Sequence, residues 1–278
     1  MLEYVRRWIN TGSRWISGQI LRYLNTPTYR YAPFFGPELA ILARTLEPGD
    51  VLLVEGNTRL SAVIKYLTQS TWSHAALYVG DALGPPKAGE EARVLIDAEA
   101  GPGVRAVPLS EFAHFNTRIC RPVGLTEDDR KKLVAFAASR LGTQYDTKQI
   151  LDLARYLFPY PPVPVAIRRR LLAIGSGDPT RAICSTLIAE SFYAIHYPIL
   201  PERVVIEGKT YGVAPYVQDE VDHIRKYGLF TPRDFDVSPY FEVIKPTIER
   251  GFDFHALTWA PATFDGKDYV DRAYYGPP

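Results

Sequence analysis

His74 and Cys184 stand far apart in this 278-residue chain, and together they are the residue types of a thiol nucleophile and its base. His74 heads the apolar run Ala75, Ala76, Leu77, Tyr78, Val79, which Gly80-Asp81 ends, the pattern of a strand followed by a turn. Cys184 precedes Leu187, Ile188, Phe192 and Ile195, apolar residues at helical spacing. A thiol at a helix N-terminus lies near the positive end of the helix dipole, which favours the thiolate. An imidazole within reach then serves as its base. Each residue also has a structural use, Cys184 as a small buried hydrophobe and His74 as a strand residue. The pattern around them selects the chemical use.

Stepping outward, Pro48-Gly49-Asp50 introduces a strand over Val51 to Val54, and Leu60, Val63, Ile64 and Leu67 give Arg59 to Thr68 helical spacing. A Gly-, Pro- and Ala-rich loop from Leu83 to Ala92 separates the His74 strand from a strand over Val94 to Ala98, predicting an antiparallel pair. Further strands are read at Val104 to Val107 and Arg118 to Pro122. A helix from Thr126 to Leu141 starts with a cap, Thr126 followed by Asp129, and ends at Gly142. Proline density from Phe158 to Pro164 forbids regular structure, and IRRRLLAIGSGDP then reads as a helix and a loop leading to Cys184. A patch over Leu39 to Leu46 also reads as helix.

The ordered runs PGDVLLVEG, SHAALYVGD, IDAEAGPGVRAVPLSEF, LGTQYDTKQIL and ICSTLIAESF resemble the permuted papain-like cysteine hydrolases, the YiiX/YebB-like branch of the NlpC-type cell-wall amidopeptidase superfamily. In the permuted branch the His strand precedes the Cys helix, which is the order here. The resemblance covers Pro48 to Tyr197 and, more weakly, Thr231 to Lys245. It implies an α+β fold of permuted papain-like type, an antiparallel sheet packed against a helix that carries the nucleophilic Cys at its N-terminus. It divides the chain into an N-terminal extension and linker (1–47), a catalytic domain (48–250) and a C-terminal tail (251–278).

A papain-like site needs a third polar group that orients the imidazole. Asp97 and Glu99 are two apart on one strand and face the same side, so spacing leaves the choice open. The family's acid stands just before an Ala and a Gly-Val turn, and by resemblance Glu99-Ala100 takes precedence over Asp97-Ala98. Both also have an ordinary use as solvent-facing strand carboxylates. By the same resemblance Tyr145 in GTQYD is a tyrosine near the pocket, whose phenol can donate to a substrate carbonyl or oxyanion; otherwise it is a packing ring. The backbone N–H of Cys184 supplies an oxyanion donor without leaving a sequence signature.

The expected activity is thiol-based cleavage of an amide bond of the cell-wall peptide type. Two alternatives stand beside it: an acyltransferase or lipid hydrolase of the permuted papain-like type, and a non-catalytic module that retains the cleft. The expected partner is a peptide or acyl-amide substrate in that cleft. No metal is expected, because His114, His196, His223 and His255 lack ligand-like spacing, and the absence of GxSxG, P-loop and dinucleotide patterns leaves no cofactor to propose.

Composition bounds these readings. A net charge of +1 argues against a nucleic-acid binder working by broad electrostatics, and two cysteines exclude a disulfide framework. Cys120, inside RICRP, is read as a buried small hydrophobe. No secretory signal or transmembrane span is read from the sequence. Residues 1–24 carry Leu2, Val5, Trp8, Ile9, Trp15, Ile16, Ile20, Tyr23 and Leu24 at near-helical spacing with Arg6, Arg7, Arg14 and Arg22 beside them. Such a segment either packs on protein or contacts a membrane surface peripherally. Oligomeric state is not readable.

Overall fold

The computed structural model describes residues 22–27, 39–99, 102–143, 183–200, 205–206, 209–210, 230–246, 253 and 255. Short apolar runs bounded by Gly, Pro and Asp become the strands: β1 (Val51–Val54), β2 (His74–Tyr78), β3 (Arg93–Glu99), β4 (Gly103–Pro108), β5 (Thr117–Pro122) and β8 (Phe241–Ile244). They pair antiparallel throughout in the order β4-β3-β2-β1-β5-β8. Two short strands, β6 (Val205–Ile206) and β7 (Lys209–Thr210), form a separate ribbon. The helices among the described residues are α1 (Leu39–Thr45), α2 (Arg59–Thr68), α3 (Glu127–Ser139), α4 (Ile183–Ala194) and α5 (Pro232–Asp236), with a 3-10 turn at Leu109–Phe112. The protein is therefore α+β, as the sequence predicts.

All four residues of β1 are buried, because both faces of the sheet are covered. One face carries Leu53, Ala75, Leu77, Ile96, Ala98 and Val104, packed under α3 and α4. The other carries Leu52, Val54, Ala76 and Leu95, packed under α1 and the 3-10 turn. Helix α4 contributes Leu187, Ile188 and Phe192, all essentially inaccessible. At about 1.5–3 kcal/mol for each fully buried large apolar side chain, an upper bound because the unfolded chain hides some of that surface, this stripe fixes the helix on the sheet.

The orientation of α4 follows from its C-terminal half. The Phe192 ring lies 5.1 Å from Phe241 and 5.3 Å from Tyr197. Phe241 pairs with Pro122, at the end of the sheet where Val51 pairs with Cys120 and Leu77. The helix also packs on β2 and β3. Its C-terminal half therefore sits at the Pro122 and Phe241 end, and the helix reaches across to β2 and β3.

The capping box read at Thr126 is present: Asp129 N–H donates to the Thr126 hydroxyl at 3.2 Å and Thr126 N–H to the Asp129 carboxylate at 3.2 Å. A second tie is a buried ion pair. The Asp50 side chain is fully inaccessible; it accepts from Arg121 Nε at 2.9 Å, from Arg121 Nη2 at 2.8 Å and from Glu47 N–H at 2.9 Å. Arg121 Nη2 also donates to the Thr45 carbonyl at 2.6 Å, so the pair pins the end of α1 to β1 and β5. Burial pushes the Asp50 carboxyl up, against the opposing pull of Arg121.

Of the N-terminal segment only residues 22–27 are described before α1. Leu24 is fully buried. The Arg59 guanidinium donates to the Tyr23 hydroxyl and the Thr26 hydroxyl, each at 2.9 Å, and Pro27 bridges Thr58. This stretch thus packs on the start of α2. The tryptophan-bearing part, with Trp8 and Trp15, lies outside the described residues, as do Tyr145, residues 158–164 and the segment read as IRRRLLAIGSGDP. No helix among the described residues is long and apolar enough to cross a membrane.

Candidate active site

His74 is the first residue of β2 and faces Val54 across the β1 pairing. Its entry is held by Ser73, whose hydroxyl accepts from Gly56 N–H at 2.9 Å. A Cβ at Gly56 would collide with the Ser61 and Ser73 hydroxyls, so glycine is what lets the loop after β1 lie this close. Strand alternation puts Ala75 and Leu77 on the α3–α4 face and His74 on the other, against the Phe112 ring at 5.9 Å.

On that same side Asp97, fully inaccessible, meets the imidazole: its Oδ2 lies 2.9 Å from His74 Nε2. The carboxylate also accepts Arg105 Nε at Oδ1 (2.9 Å) and Nη2 at Oδ2 (3.1 Å). Arg105 is its direct cross-strand partner on β4. Burial alone would push the Asp97 carboxyl up, but the hydrogen bonds and charges of His74 and Arg105 outweigh it and hold the group below the ordinary carboxylate range. Beside an ionised carboxylate, which accepts only, Nε2 is the nitrogen that donates, and the basic lone pair falls on Nδ1.

Strand spacing leaves Asp97 and Glu99 open and the family resemblance puts Glu99 first, whereas in the structure it is Asp97 that meets His74. Glu99 lies instead 3.1 Å from Arg105 and is partly exposed. The two carboxylates share a face, but residues two apart along a strand are about 7 Å apart, so one imidazole meets only one of them. Asp97 sits within the buried part of β3, whereas Glu99 is its last residue, half-buried and opposite Gly103.

Cys184 is the second residue of α4. Its side chain and Tyr145 lie outside the described residues. The face of β2 that α4 covers is the one His74 does not use. Two partners went unread in the sequence: Arg105, and Glu111, which accepts from Arg105 Nη2 at 2.5 Å. Their signal was available, since Asp97 and Arg105 are symmetric about the 100–102 turn and become a charge pair once the hairpin closes. Among the described residues no group of three or more His, Cys, Asp or Glu has metal-holding geometry.

A family model described as permuted papain-like amidase enzymes, the YaeF/YiiX or C92 family, matches residues 45–157. The span includes His74, Asp97, Glu99, Arg105 and Tyr145 and ends before Cys184. Among solved structures, YiiX of Escherichia coli O157:H7, described as a metalloprotein, is 18% identical, with 72% of this chain and 96% of that one covered and a TM-score of 0.41. A search of curated proteins finds no match.

Proposed function

Taking residues 45–157 as those of the permuted papain-like amidase enzymes, which bears out the resemblance read from the motifs, we propose that the chain hydrolyses an amide bond of the cell-wall peptide type through Cys184, His74 and Asp97. The observation that carries this reading is the 2.9 Å contact between His74 Nε2 and a buried, ionised Asp97. It supplies two of the three parts a thiol hydrolase needs. His74 Nδ1 takes the Cys184 proton, and the thiolate sulfur attacks the amide carbon. The imidazolium, stabilised by Asp97, returns the proton to the leaving amine as the C–N bond breaks. His74 then takes a proton from water as its oxygen attacks the thioester, and gives it to the departing Cys184 sulfur, releasing the acid. The start of α4 offers backbone N–H groups and the helix dipole for the oxyanion.

Two measurements test the reading. Iodoacetamide should alkylate Cys184 well below the pH at which a free thiol reacts, as peptide mapping would show. Muropeptides presented to the wild-type protein should be cleaved, and Cys184→Ala should abolish cleavage while leaving the melting temperature nearly unchanged. Turnover by Cys184→Ala would move the nucleophile elsewhere. Cleavage of acyl lipids but not muropeptides would replace the substrate class while keeping the chemistry.

A further inference from the structure

We propose that Arg105 is a positioning residue for this reaction, one that selects the tautomer of His74 by holding Asp97 as a carboxylate in a two-point grip. The inference rests on the reading above and adds a residue that acts through Asp97 rather than on the substrate. The grip uses two donors of one planar group, Nε to Oδ1 and Nη2 to Oδ2, which fixes the carboxylate plane as well as its charge.

Among the described residues, the charged and titratable groups around Asp97 are His74 from β2, Arg105 from β4, Glu99 from its own strand and Glu111 from the 3-10 turn. Glu99 and Glu111 reach the guanidinium and orient it. The 3-10 turn therefore acts on both members of the pair, since Glu111 grips Arg105 while Phe112 packs against the His74 ring. Without the guanidinium, the two-point grip is gone and the His74 contact alone stands against burial, which favours the neutral acid at position 97. A protonated carboxyl donates, which would make Nε2 the acceptor and move the imidazole proton to Nδ1. That tautomer has no lone pair on the nitrogen that faces away from Asp97, and it cannot take a thiol proton there. A hairpin ion pair with a purely structural role would leave the tautomer untouched.

The test uses the full chain with Arg105→Gln and Arg105→Lys, reading the nitrogen-15 shifts of His74 and the pH profile of Cys184 alkylation by iodoacetamide. Wild type should show the proton on Nε2. In Arg105→Gln the proton should move to Nδ1 and the acid limb of alkylation should rise by about one pH unit, which lowers the rate about tenfold at pH values below the wild-type limb. Arg105→Lys, which keeps charge without the two-point grip, should fall between. A folded Arg105→Gln with wild-type nitrogen shifts overturns the proposal, and if that variant does not fold, wild-type shifts in Arg105→Lys overturn it equally. An unreactive Cys184 in the wild-type protein would sink the hydrolase reading instead, while the His74 shifts still decide the role of Arg105.

Discussion

Asp97 and Asp50 both have fully inaccessible side chains, and each is held by a guanidinium through two hydrogen bonds, Arg105 in one case and Arg121 in the other. Yet the Asp97 carboxyl is held low and the Asp50 carboxyl is pushed up. Burial is the largest influence on both and acts in the same direction. What differs is the third neighbour. Asp97 has the His74 imidazole, a second side-chain donor that becomes a cation, while Asp50 has only the Glu47 backbone N–H, whose pull is partly opposed by the Glu47 charge and together with Arg121 does not overcome burial. An arginine alone therefore does not decide whether a buried carboxylate stays charged. The pair at α1 is built to join elements, and the pair at β3 is built to remain an anion beside a base.

The largest expected separation between the two is chemical. Asp97→Asn should lower turnover by up to about 10⁴-fold, the scale seen when the carboxylate of a serine-protease triad is replaced by its amide, because an amide stabilises the wrong tautomer and no imidazolium. Asp50→Asn should leave turnover unchanged. Equal losses in the two variants would erase the distinction drawn here.

Stability should separate them in the other direction. Arg121→Ala strands a buried carboxylate at the α1 junction, for which about 3–5 kcal/mol is typical. The lower end is expected, because Asp50, already pushed up, can take a proton. Urea unfolding checks this, and the deficit should shrink as the pH is lowered towards 5.

The smallest effect lies in the acid limb of stability. Asp97, with its folded-state pKa depressed, contributes stability that is present above its unfolded value near 4 and is lost as pH falls through the folded value. Asp50, with its folded-state pKa raised, does the opposite: folding gains as pH falls through the raised value. Asp97→Asn should therefore flatten the loss of stability in acid, and Asp50→Asn should steepen it. Thermal melts between pH 3 and 6, on the order of 1 kcal/mol apart, would show both signs.

The elements that carry the site were legible because their ends are punctuated: Pro48-Gly49 before β1, Gly80-Asp81 after β2, Thr126 and Gly142 around α3. His74 was legible for the same reason, as the head of a sharply bounded run. The choice between Asp97 and Glu99 was not, because both have the same parity and the offset of β3 against β2 is set by a loop with no register signal of its own. The place of β8 beside β5 joins residues more than a hundred positions apart and leaves no local trace. The seat of α4 on the sheet depends on Phe192 finding Phe241 and Tyr197, a packing outcome rather than a spacing.

Cys120 lies in the core on β5, and burial, followed by the charge of Asp236, pushes its thiol up to about 12. The chain has two cysteines. One of them is thus silent to alkylating and disulfide-exchange reagents while the protein is folded, so the native chain carries its own stoichiometric counter. If Cys184 is the nucleophile proposed above, one equivalent of label per chain at neutral pH measures the fraction of competent sites in a preparation, and a second equivalent, appearing on heating or in denaturant, measures the unfolded fraction, with no engineered residue in either case.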